Sequence, residues 1–314
     1  PLILPGNVAS ATAAVGYDVA NSCRFSDPGT SYIHKTPGSA GDQTEYTFSC
    51  WVKRGMLVAG SGTNQSLLES GTGGSNYSSI GFYHSGSAST NGALDWHSYN
   101  SGYAYRLRTT RKFLDCSAWY HFVFAFDSDQ GTDANKMKLW VNGVQETSFL
   151  YDTYPSAQDA YINADDQHAI GYDVHQTTNY YLDGYLAEVC FIDGQQLDAD
   201  QFGEFDSDSP TIWKPKDVSG LTFGSNGTYL DFEDSGNLGD DESGNTNDWT
   251  EVNLAAVDQS LDSPTNNFCV MNILDNYYFD ATFSQGNTNL VLSDDGNETY
   301  GTGTIGLSAG KWYF

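Results

Sequence analysis

Carboxylates are the first side chains in this sequence whose spacing could support catalysis. Retaining glycoside hydrolysis needs two carboxyl groups about 5 to 5.5 Å apart, and a strand brings alternate residues to one face. The nearest arrangement is Glu204, Asp206 and Asp208, and it lacks the closing glutamate of an E-x-D-x-x-E pattern. We therefore predict no catalytic residue here and expect a solvated acidic linker.

Histidine and serine patterns also favour a protein that is not an enzyme. The six histidines are scattered, with no H-E-x-x-H motif and no pair four residues apart that could hold zinc. The G-x-S-x-G elbow of serine hydrolases is absent. A Ser-His-Asp triad stays open, because the order of its members along the chain differs among folds.

Calcium is the one cofactor that the sequence suggests. Residues 234–248 concentrate Asp, Glu and Asn among glycines, which suits a cation that takes six to eight oxygen ligands, although the spacing is not that of an EF-hand. A second acidic group flanks Ile170-Gly171. The alternative is a solvated acidic connector with no bound ion. The candidate ligands are Asp165, Asp166, Asp173, Asp240, Asp241 and Glu242.

Aromatic side chains in polar stretches point to sugar binding. Sugar rings stack on exposed aromatic rings, and Asn, Asp and Gln orient the hydroxyl groups. The sequence has 21 Tyr, 17 Phe and 7 Trp, and several lie in Gly/Ser/Asn-rich segments. The competing interpretation is that these large rings fill a core. The candidate glycan-binding residues are Trp96, His97, Tyr99, Tyr103, Asn179 and Tyr180.

The elements that would position these side chains are strands. Alternation of apolar and polar residues recurs along the chain, and Trp119–Phe126 is apolar enough to be buried on both faces. Asn142-Gly143 predicts a type I′ hairpin turn. Short segments of this kind predict an all-β, antiparallel, two-sheet jelly-roll sandwich, with a second, smaller β-rich region at the C-terminal end. The one helix expected is short, over Asp198–Glu204.

Composition excludes several classes of protein. The 40 Asp and Glu residues outnumber the 13 Lys and Arg residues and give a net charge of −27, so we expect no nucleic-acid partner. No apolar stretch is long enough for a membrane helix, and the N-terminal residues lack the pattern of a signal peptide. The five cysteines are widely spaced and odd in number, which predicts buried free thiols.

Charge and turn residues divide the chain into four parts. Residues 1–20 form an apolar arm that we expect to dock on other proteins through Leu2, Ile3, Leu4 and Val8. Residues 21–216 form the sandwich. Residues 217–250 form an acidic connector, and residues 251–314 begin a second β-domain, which we expect to continue past Phe314. No Lys or Arg occurs between residues 217 and 310.

Five segments, in this order, resemble a laminin-G-like domain of the concanavalin A-like lectin/glucanase type. They are YTFSCWVKR (46–54), SAWYHFVFAFDS (117–128), MKLWVNGVQ (137–145), Ile170-Gly171 and LDGYLAEVCFIDGQQLDADQF (182–202). The resemblance implies a jelly-roll fold over roughly residues 20 to 215. It also implies that the calcium candidates near Ile170-Gly171 lie where some laminin-G relatives bind the ion.

The end and the overall arrangement of the chain carry two further resemblances. Gly303–Phe314 is similar to the start of a SPRY-type domain. The segments LPGNVASATA, FIDGQ, IWKPK and DSPTNNF resemble large virion proteins of tailed bacteriophages, especially marine ones.

This resemblance implies a structural tail-fibre or appendage component, located in the virion. Its partners would be other tail or capsid proteins, further copies of itself as a homo-oligomer such as a trimer, and a host cell-surface glycan, with no insertion into a membrane. The alternatives are a glycan-degrading enzyme on the same fold and a capsid decoration protein without a receptor role.

Overall fold

A computed structural model describes residues 16–27, 29–57, 64–84, 91–156, 160–173, 181–275, 281–291 and 301–306. The first fifteen residues lie outside these ranges, so Leu2, Ile3, Leu4 and Val8 of the predicted docking arm are not described. The arm was predicted to reach residue 20, but Tyr17 and Val19 pack on the folded domain. Among the described residues, no helix is long and apolar enough to cross a membrane.

Strands make up most of the described structure. The first ten are β1 (Ser22–Phe25), β2 (Tyr32–Lys35), β3 (Glu45–Arg54), β4 (Gln65–Gly73), β5 (Asn76–Tyr83), β6 (Ala93–Asn100), β7 (Tyr103–Lys112), β8 (Trp119–Asp127), β9 (Met137–Val141) and β10 (Val144–Gln145). The others are β11 (Phe149–Thr153), β12 (His168–Ile170), β13 (Gly184–Asp193), β14 (Gly203–Phe205), β15 (Trp213–Pro215), β16 (Thr228–Leu230), β17 (Thr250–Val252), β18 (Gln259–Ser260), β19 (Thr282–Ser284) and β20 (Asn289–Val291).

Two antiparallel sheets form the sandwich. Sheet A has the order β10-β9-β8-β3-β13-β1-β18, with β16 also paired to β13. Sheet B has the order β11-β7-β6-β5-β4-β12-β2-β17. The predicted all-β, two-sheet antiparallel fold is therefore confirmed.

Helical structure is limited to single turns in the described residues. A four-residue turn, α1 (Asp133–Lys136), precedes β9, and two short 3-10 turns cover Ala199–Gln201 and Ala256–Asp258. The helix predicted over Asp198–Glu204 is confirmed only as the single 3-10 turn Ala199–Gln201, because the chain enters β14 at Gly203 and pairs with β15.

The predicted Asn142-Gly143 turn is confirmed. Asn142 and Gly143 have φ values of 49° and 75°, the two positive values that a type I′ turn requires. The turn joins β9 to β10, whose residues Val141 and Val144 are paired. A short local signal therefore sets the outer edge of sheet A.

The main core lies between the two sheets and is rich in aromatic rings. Phe48 of β3 and Phe124 of β8 stack with ring centroids 6.1 Å apart, and Trp96 of β6 meets Phe124 edge-on at 5.5 Å. All eight residues of β8 from Trp119 to Phe126 are buried, as predicted for a strand covered on both faces. Burial of this much apolar area is the dominant favourable term in folding.

A second apolar layer covers the outer face of sheet A. Val123 of β8 and Cys190 of β13 pack there against Phe202, Val218 and Phe223. The segment that follows β13 therefore shields a face that would otherwise be exposed to water. This arrangement explains why β8 and β13 are apolar at consecutive positions.

Residues 217–250 are part of the sandwich, so the prediction of an acidic connector is wrong. Thr228–Leu230 pairs with β13, and Thr250–Val252 pairs with β2. Phe232, Leu238 and Trp249 are buried in the main core. The segment reads as a connector because its acidic residues and glycines occupy the turns between short strands, while its few apolar residues fill the core.

The predicted boundary at residue 251 also falls inside the sandwich. Gln259–Ser260 adds a strand to β1, and Asp262 accepts a hydrogen bond from Lys53 Nζ at 2.7 Å. Beyond this point, β19 and β20 form a separate two-stranded hairpin. Residues 307–314, which carry most of the SPRY-like motif, lie outside the described structure.

All five cysteines are free thiols. Cys23, Cys50, Cys116 and Cys190 are buried, as predicted, whereas Cys269 is exposed. Cys50 on β3 and Cys190 on β13 serve as small apolar side chains at positions where the two faces of sheet A are covered.

Candidate functional site

The structure separates two neighbouring residues that the sequence placed in one glycan site. Trp96 and His97 follow each other on β6, so their side chains point to opposite faces of sheet B. Trp96 faces the core, is 1% exposed and donates from Nε1 to the Tyr46 hydroxyl at 3.3 Å. The prediction that Trp96 binds sugar is therefore wrong, because its ring has no face toward solvent.

His97, Tyr99 and Tyr103 do come together, on the outer face of sheet B. Tyr77 of β5 lies opposite Tyr99 of β6, which lies opposite Tyr103 of β7. Ring centroids are 5.7 Å apart for Tyr77 and Tyr99, and 5.3 Å apart for Tyr99 and Tyr103. Directly opposed residues of antiparallel strands point to one face, so the pairing itself assembles this row of rings.

An ion-pair network lies beside the row. Asp95 accepts two hydrogen bonds from Arg106, from Nε and Nη2, each at 2.9 Å. Its Oδ2 also accepts one from Arg108 Nη2 at 2.8 Å. The three side chains are at most one-tenth exposed. A planar guanidinium bound at two points has one orientation, so Arg106 is a rigid part of the surface.

Tyrosine rings cover the two arginines. Arg106 lies 4.0 Å from the ring centroid of Tyr103 and 4.6 Å from that of Tyr151 on β11, while Arg108 lies 3.2 Å from that of Tyr83. These distances are within the range of cation–π attraction. Tyr103 and Tyr151 are nevertheless 48% and 45% exposed, so each keeps ring surface open to solvent. We call Tyr77, Tyr99, Tyr103 and Tyr151 the tyrosine face.

His97 lies beneath this surface. Its side chain is buried between Tyr77 and Tyr103, whose ring centroids lie 5.6 and 5.3 Å away. Among the described residues neither ring nitrogen has a hydrogen-bond partner, and Nδ1 lies 3.5 Å from Asp95 Oδ2. Buried polar atoms in folded proteins normally find partners, and the contact of Nδ1 with Asp95 ties His97 to the ion-pair network beneath the tyrosine rings.

Asn179 and Tyr180, the other two predicted glycan residues, lie outside the described residues. The residues on either side form a second tyrosine cluster. Tyr172 and Tyr181 stack with ring centroids 4.4 Å apart, and Tyr32 lies 4.7 Å from Tyr172. This cluster sits at the β2 side of sheet B.

Neither predicted calcium site is formed by the described side chains. No group of three or more His, Cys, Asp or Glu residues within the described ranges is placed to hold a metal ion. Asp165 is exposed, whereas Asp173, after β12, is buried. We predicted that Asp165, Asp166 and Asp173 bind one ion together. Their closeness in sequence does not make their carboxylates point toward one another.

The acidic loop uses Asp241 as a structural acceptor. Its carboxylate accepts hydrogen bonds from the backbone of Tyr229 at 2.8 Å and of Asn247 at 2.7 Å, and from the Ser243 hydroxyl at 2.8 Å. Protein donors thus occupy the oxygens that a cation would need. Asp240 and Glu242 lie nearer the surface, and repulsion, chiefly from Asp231, raises the pKa of Glu242.

The carboxylates considered for catalysis lie on the exposed β14–β15 hairpin. Glu204 Oε1 and Asp206 Oδ2 are 3.2 and 3.6 Å from Lys214 Nζ. They belong to a paired hairpin rather than to the linker that we expected.

Sequence reasoning missed Asp95, Arg106, Arg108 and Tyr151. Alternation along β7 could have predicted that the two arginines share one face. Tyr105 and Leu107 point into the core, so Arg106 and Arg108 point to the outer face. Tyr151 had no local signal, since it reaches the site only through the pairing of β11 with β7.

The two packed antiparallel sheets, with an aromatic and polar outer face, define a lectin-like jelly-roll sandwich. The chain belongs to the concanavalin A-like lectin/glucanases superfamily, since a laminin G model of that superfamily matches residues 27–201, more than half of the chain. It therefore has a concanavalin A-like fold. No curated protein sequence gives a significant match.

Several solved structures are similar to the chain at low sequence identity. A proposed carbohydrate-binding protein of Bacteroides ovatus has a TM-score of 0.47 and 17% identity, over 76% of this chain and 61% of that one. A heptameric SAP-like pentraxin of Limulus polyphemus has a TM-score of 0.40 and 13% identity, over 59% and 82%. The CBM40 of a Ruminococcus gnavus sialidase, bound to sialyllactose, has a TM-score of 0.36 and 17% identity, over 59% and 93%.

Proposed function

We propose that this chain is a non-catalytic carbohydrate-binding protein that uses the tyrosine face to recognise a cell-surface glycan. The observation that supports this function best is the pair of half-exposed rings of Tyr103 and Tyr151, which pack on Arg106. Arg106 is itself held in one orientation by its two hydrogen bonds to Asp95. A sugar ring would stack on the open ring surface. Rigid aromatic rings bind with a small loss of conformational entropy.

The polar groups beside the rings would orient the sugar. Tyr99 and Tyr103 present phenol groups there, and His97 lies between the rings of Tyr77 and Tyr103. A phenol hydroxyl can both donate and accept, so it can pair with a donor or an acceptor group of the sugar. The site thus offers stacking and directional hydrogen bonds on one face of sheet B.

Binding of the whole chain to a glycan array, followed by titration calorimetry, tests this site. We expect Tyr103→Ala and Tyr151→Ala each to weaken binding at least about tenfold, since truncated interface aromatics are often that costly. Tyr103→Phe keeps the ring and should retain most of the affinity. Phe268→Ala is the matched control, because Phe268 is 44% exposed and lies outside the face. Equal affinity in all four variants would contradict the proposal.

The non-catalytic part of the proposal has a separate test. The rival function is a glycan-degrading enzyme on the same fold. Incubation of the protein with host polysaccharide, followed by measurement of released reducing sugars, distinguishes the two. Binding without release supports recognition alone, whereas sugar release that scales with protein concentration supports the enzyme.

We further propose that the chain is a structural component of a tailed-bacteriophage particle, in a tail fibre or related appendage, with the SPRY-like segment opening a further β-domain. The support is the sequence resemblance of LPGNVASATA, FIDGQ, IWKPK and DSPTNNF to such virion proteins. In this role the N-terminal arm docks on tail or capsid proteins or on further copies of the chain, and the sandwich faces the host.

The position of the chain on purified particles tests the virion role. Gold-labelled antibody against the sandwich should mark tail appendages in electron micrographs. Labelling of the capsid surface would favour a decoration protein instead. If purified particles lack the chain, the virion role is wrong, while the glycan site of the tyrosine face remains testable on the isolated protein.

A further inference from the structure

A groove between sheet A and the β14–β15 hairpin, which Arg111 at the end of β7 also lines, has no part in the function proposed above. It encloses about 330 Å³ and is open to solvent. That volume is within the range of small-molecule sites in proteins. We call it the tryptophan groove, after its lining residues Trp51, Trp119 and Trp213, with Phe205, Arg111 and Asn142.

Three stacked rings make one wall of the groove rigid. The ring of His121 on β8 lies between Trp51, at 4.7 Å, and Trp213, at 5.9 Å, with interplanar angles below 30°. Trp213 donates from Nε1 to His121 Nδ1 at 3.0 Å, and an indole can only donate, so Nδ1 is the accepting nitrogen. His121 Nε2 then donates to Ser49 Oγ at 2.9 Å. Burial lowers the pKa of His121 to about 3, consistent with this neutral form.

Two glycines let Trp213 lie flat against the hairpins. A Cβ atom at Gly143 would stand 2.2 Å from the Trp213 ring, and one at Gly203 would stand 2.5 Å from it. The indole is thus held between the Asn142-Gly143 turn and β14. Phe205 on β14 meets Trp213 edge-on at 4.9 Å and is 43% exposed.

Two of the polar groups that line the groove are donors without an acceptor among the described residues. Trp51 is 4% exposed, and its Nε1 has no hydrogen-bond partner. Arg111 is exposed and forms no ion pair with the described residues, in a chain of net charge −27. None of the described residues that line the groove is an Asp or Glu. Aromatic walls with a free cation and a buried free N–H suit a ligand that combines an apolar ring face with negative charge.

We infer that the tryptophan groove is a second binding site, which takes an acidic sugar: a pyranose that carries a carboxylate or sulfate. The sugar ring packs on the exposed aromatic edges, its acidic group pairs with Arg111, and one oxygen accepts from Trp51 Nε1. The inference does not depend on the tyrosine face, because the two sites share no residue.

Titration of the whole chain with trigalacturonate, and with maltotriose as a neutral trisaccharide of equal length, tests the inference. We expect trigalacturonate to bind and to shift the Trp51 indole N–H signal in nitrogen-15 NMR spectra. The Trp51→Phe variant, which lacks this signal, identifies it. Arg111→Gln should weaken binding at least about tenfold, as loss of a charge-assisted hydrogen bond does, and Arg111→Lys should weaken it less. Maltotriose affinity should be equal in wild type and Arg111→Gln.

Control variants separate this site from the tyrosine face. Phe205→Ala should weaken trigalacturonate binding, and Tyr103→Ala should leave it unchanged. Loss of binding in Tyr103→Ala but not in Arg111→Gln would overturn the inference and assign the acidic sugar to the tyrosine face. Absence of binding to wild type would also overturn it. If a peptide of residues 1–15 shifts the Trp51 signal and trigalacturonate does not, the groove binds peptide instead.

Discussion

Glu188 shows how one buried residue can make stability depend on pH. It lies in a β-bulge of β13 with a φ of 49° and is 5% exposed. Its Oε2 accepts hydrogen bonds from the hydroxyl groups of Tyr17 at 3.0 Å and Tyr229 at 2.9 Å. Burial raises the pKa of Glu188 to about 7, although the two tyrosine donors act in the opposite direction.

We predict that Glu188→Gln stabilises the protein at pH 8.5 and not at pH 4.5. A raised pKa means that the folded state holds the proton more tightly, so this stabilisation is complete below pH 4.5 and is lost as pH rises through 7. Glutamine stays neutral and its carbonyl still accepts both tyrosine hydroxyls. The gain should be about 2 kcal/mol at pH 8.5.

Urea denaturation at the two pH values measures this difference. Glu204→Gln is the control, because that carboxylate is 54% exposed on the β14–β15 hairpin. An equal change at both pH values would mean that Glu188 is ionised, or neutral, throughout this range.

At the scale of the element, the Asn142-Gly143 turn fixes both an edge of sheet A and the position of Trp213. Gly143 has a φ of 75°, which costs other residues free energy, and the Trp213 ring fills the space where its side chain would be. The same dipeptide therefore serves the hairpin and the tryptophan groove.

We predict that Gly143→Ala destabilises the protein by about 2 to 3 kcal/mol, because backbone strain adds to displacement of Trp213. Guanidinium denaturation measures the loss, and near-ultraviolet circular dichroism reports the indole. Gly131→Ala is the matched control, since a Cβ atom there would meet nothing within 4 Å. Similar stability in the two variants would show that Trp213 is not held by the turn.

At the scale of the whole molecule, the sandwich extends well past residue 216. We predict that a chain of residues 16–216 does not unfold cooperatively, whereas a chain of residues 16–275 does. The shorter chain loses β16, β17 and β18 together with Phe223, Phe232 and Trp249, so it exposes apolar surface on both faces of sheet A. Thermal melting and binding of an apolar dye compare the two. Cooperative melting of the shorter chain would show that residues 217–250 are not needed for the sandwich, as expected of a connector.

The net charge of −27 also acts on the whole molecule. Self-repulsion of like charges opposes compaction, and salt screens it. We predict that sodium chloride raises the melting temperature by roughly a few degrees. Because protein donors already bind the carboxylate of Asp241, millimolar calcium at matched ionic strength should cause no further rise. A further rise with calcium that a chelator reverses would indicate a specific site.

Much of the fold could be predicted because its signals are local. Alternation in Glu45–Arg54 and apolar continuity in Trp119–Asp127 reflect which residues suit an extended, buried backbone. Asn142-Gly143 needs only its own two positive φ angles. Strand identity and fold class follow from such short-range preferences, and so does the presence of Tyr99 and Tyr103 near a turn.

The sequence by itself determined the all-β class, the main hairpin and the tyrosines that came to lie on one face. Only the tertiary structure decided that Trp96 points inward while His97 points outward, because alternation does not state which face meets the second sheet. It also brought Tyr151 over Arg106, placed Trp51 and Trp213 on either side of His121, and paired β16 and β17 with strands far earlier in the chain. These contacts join residues that are distant in sequence, so no local pattern encodes them.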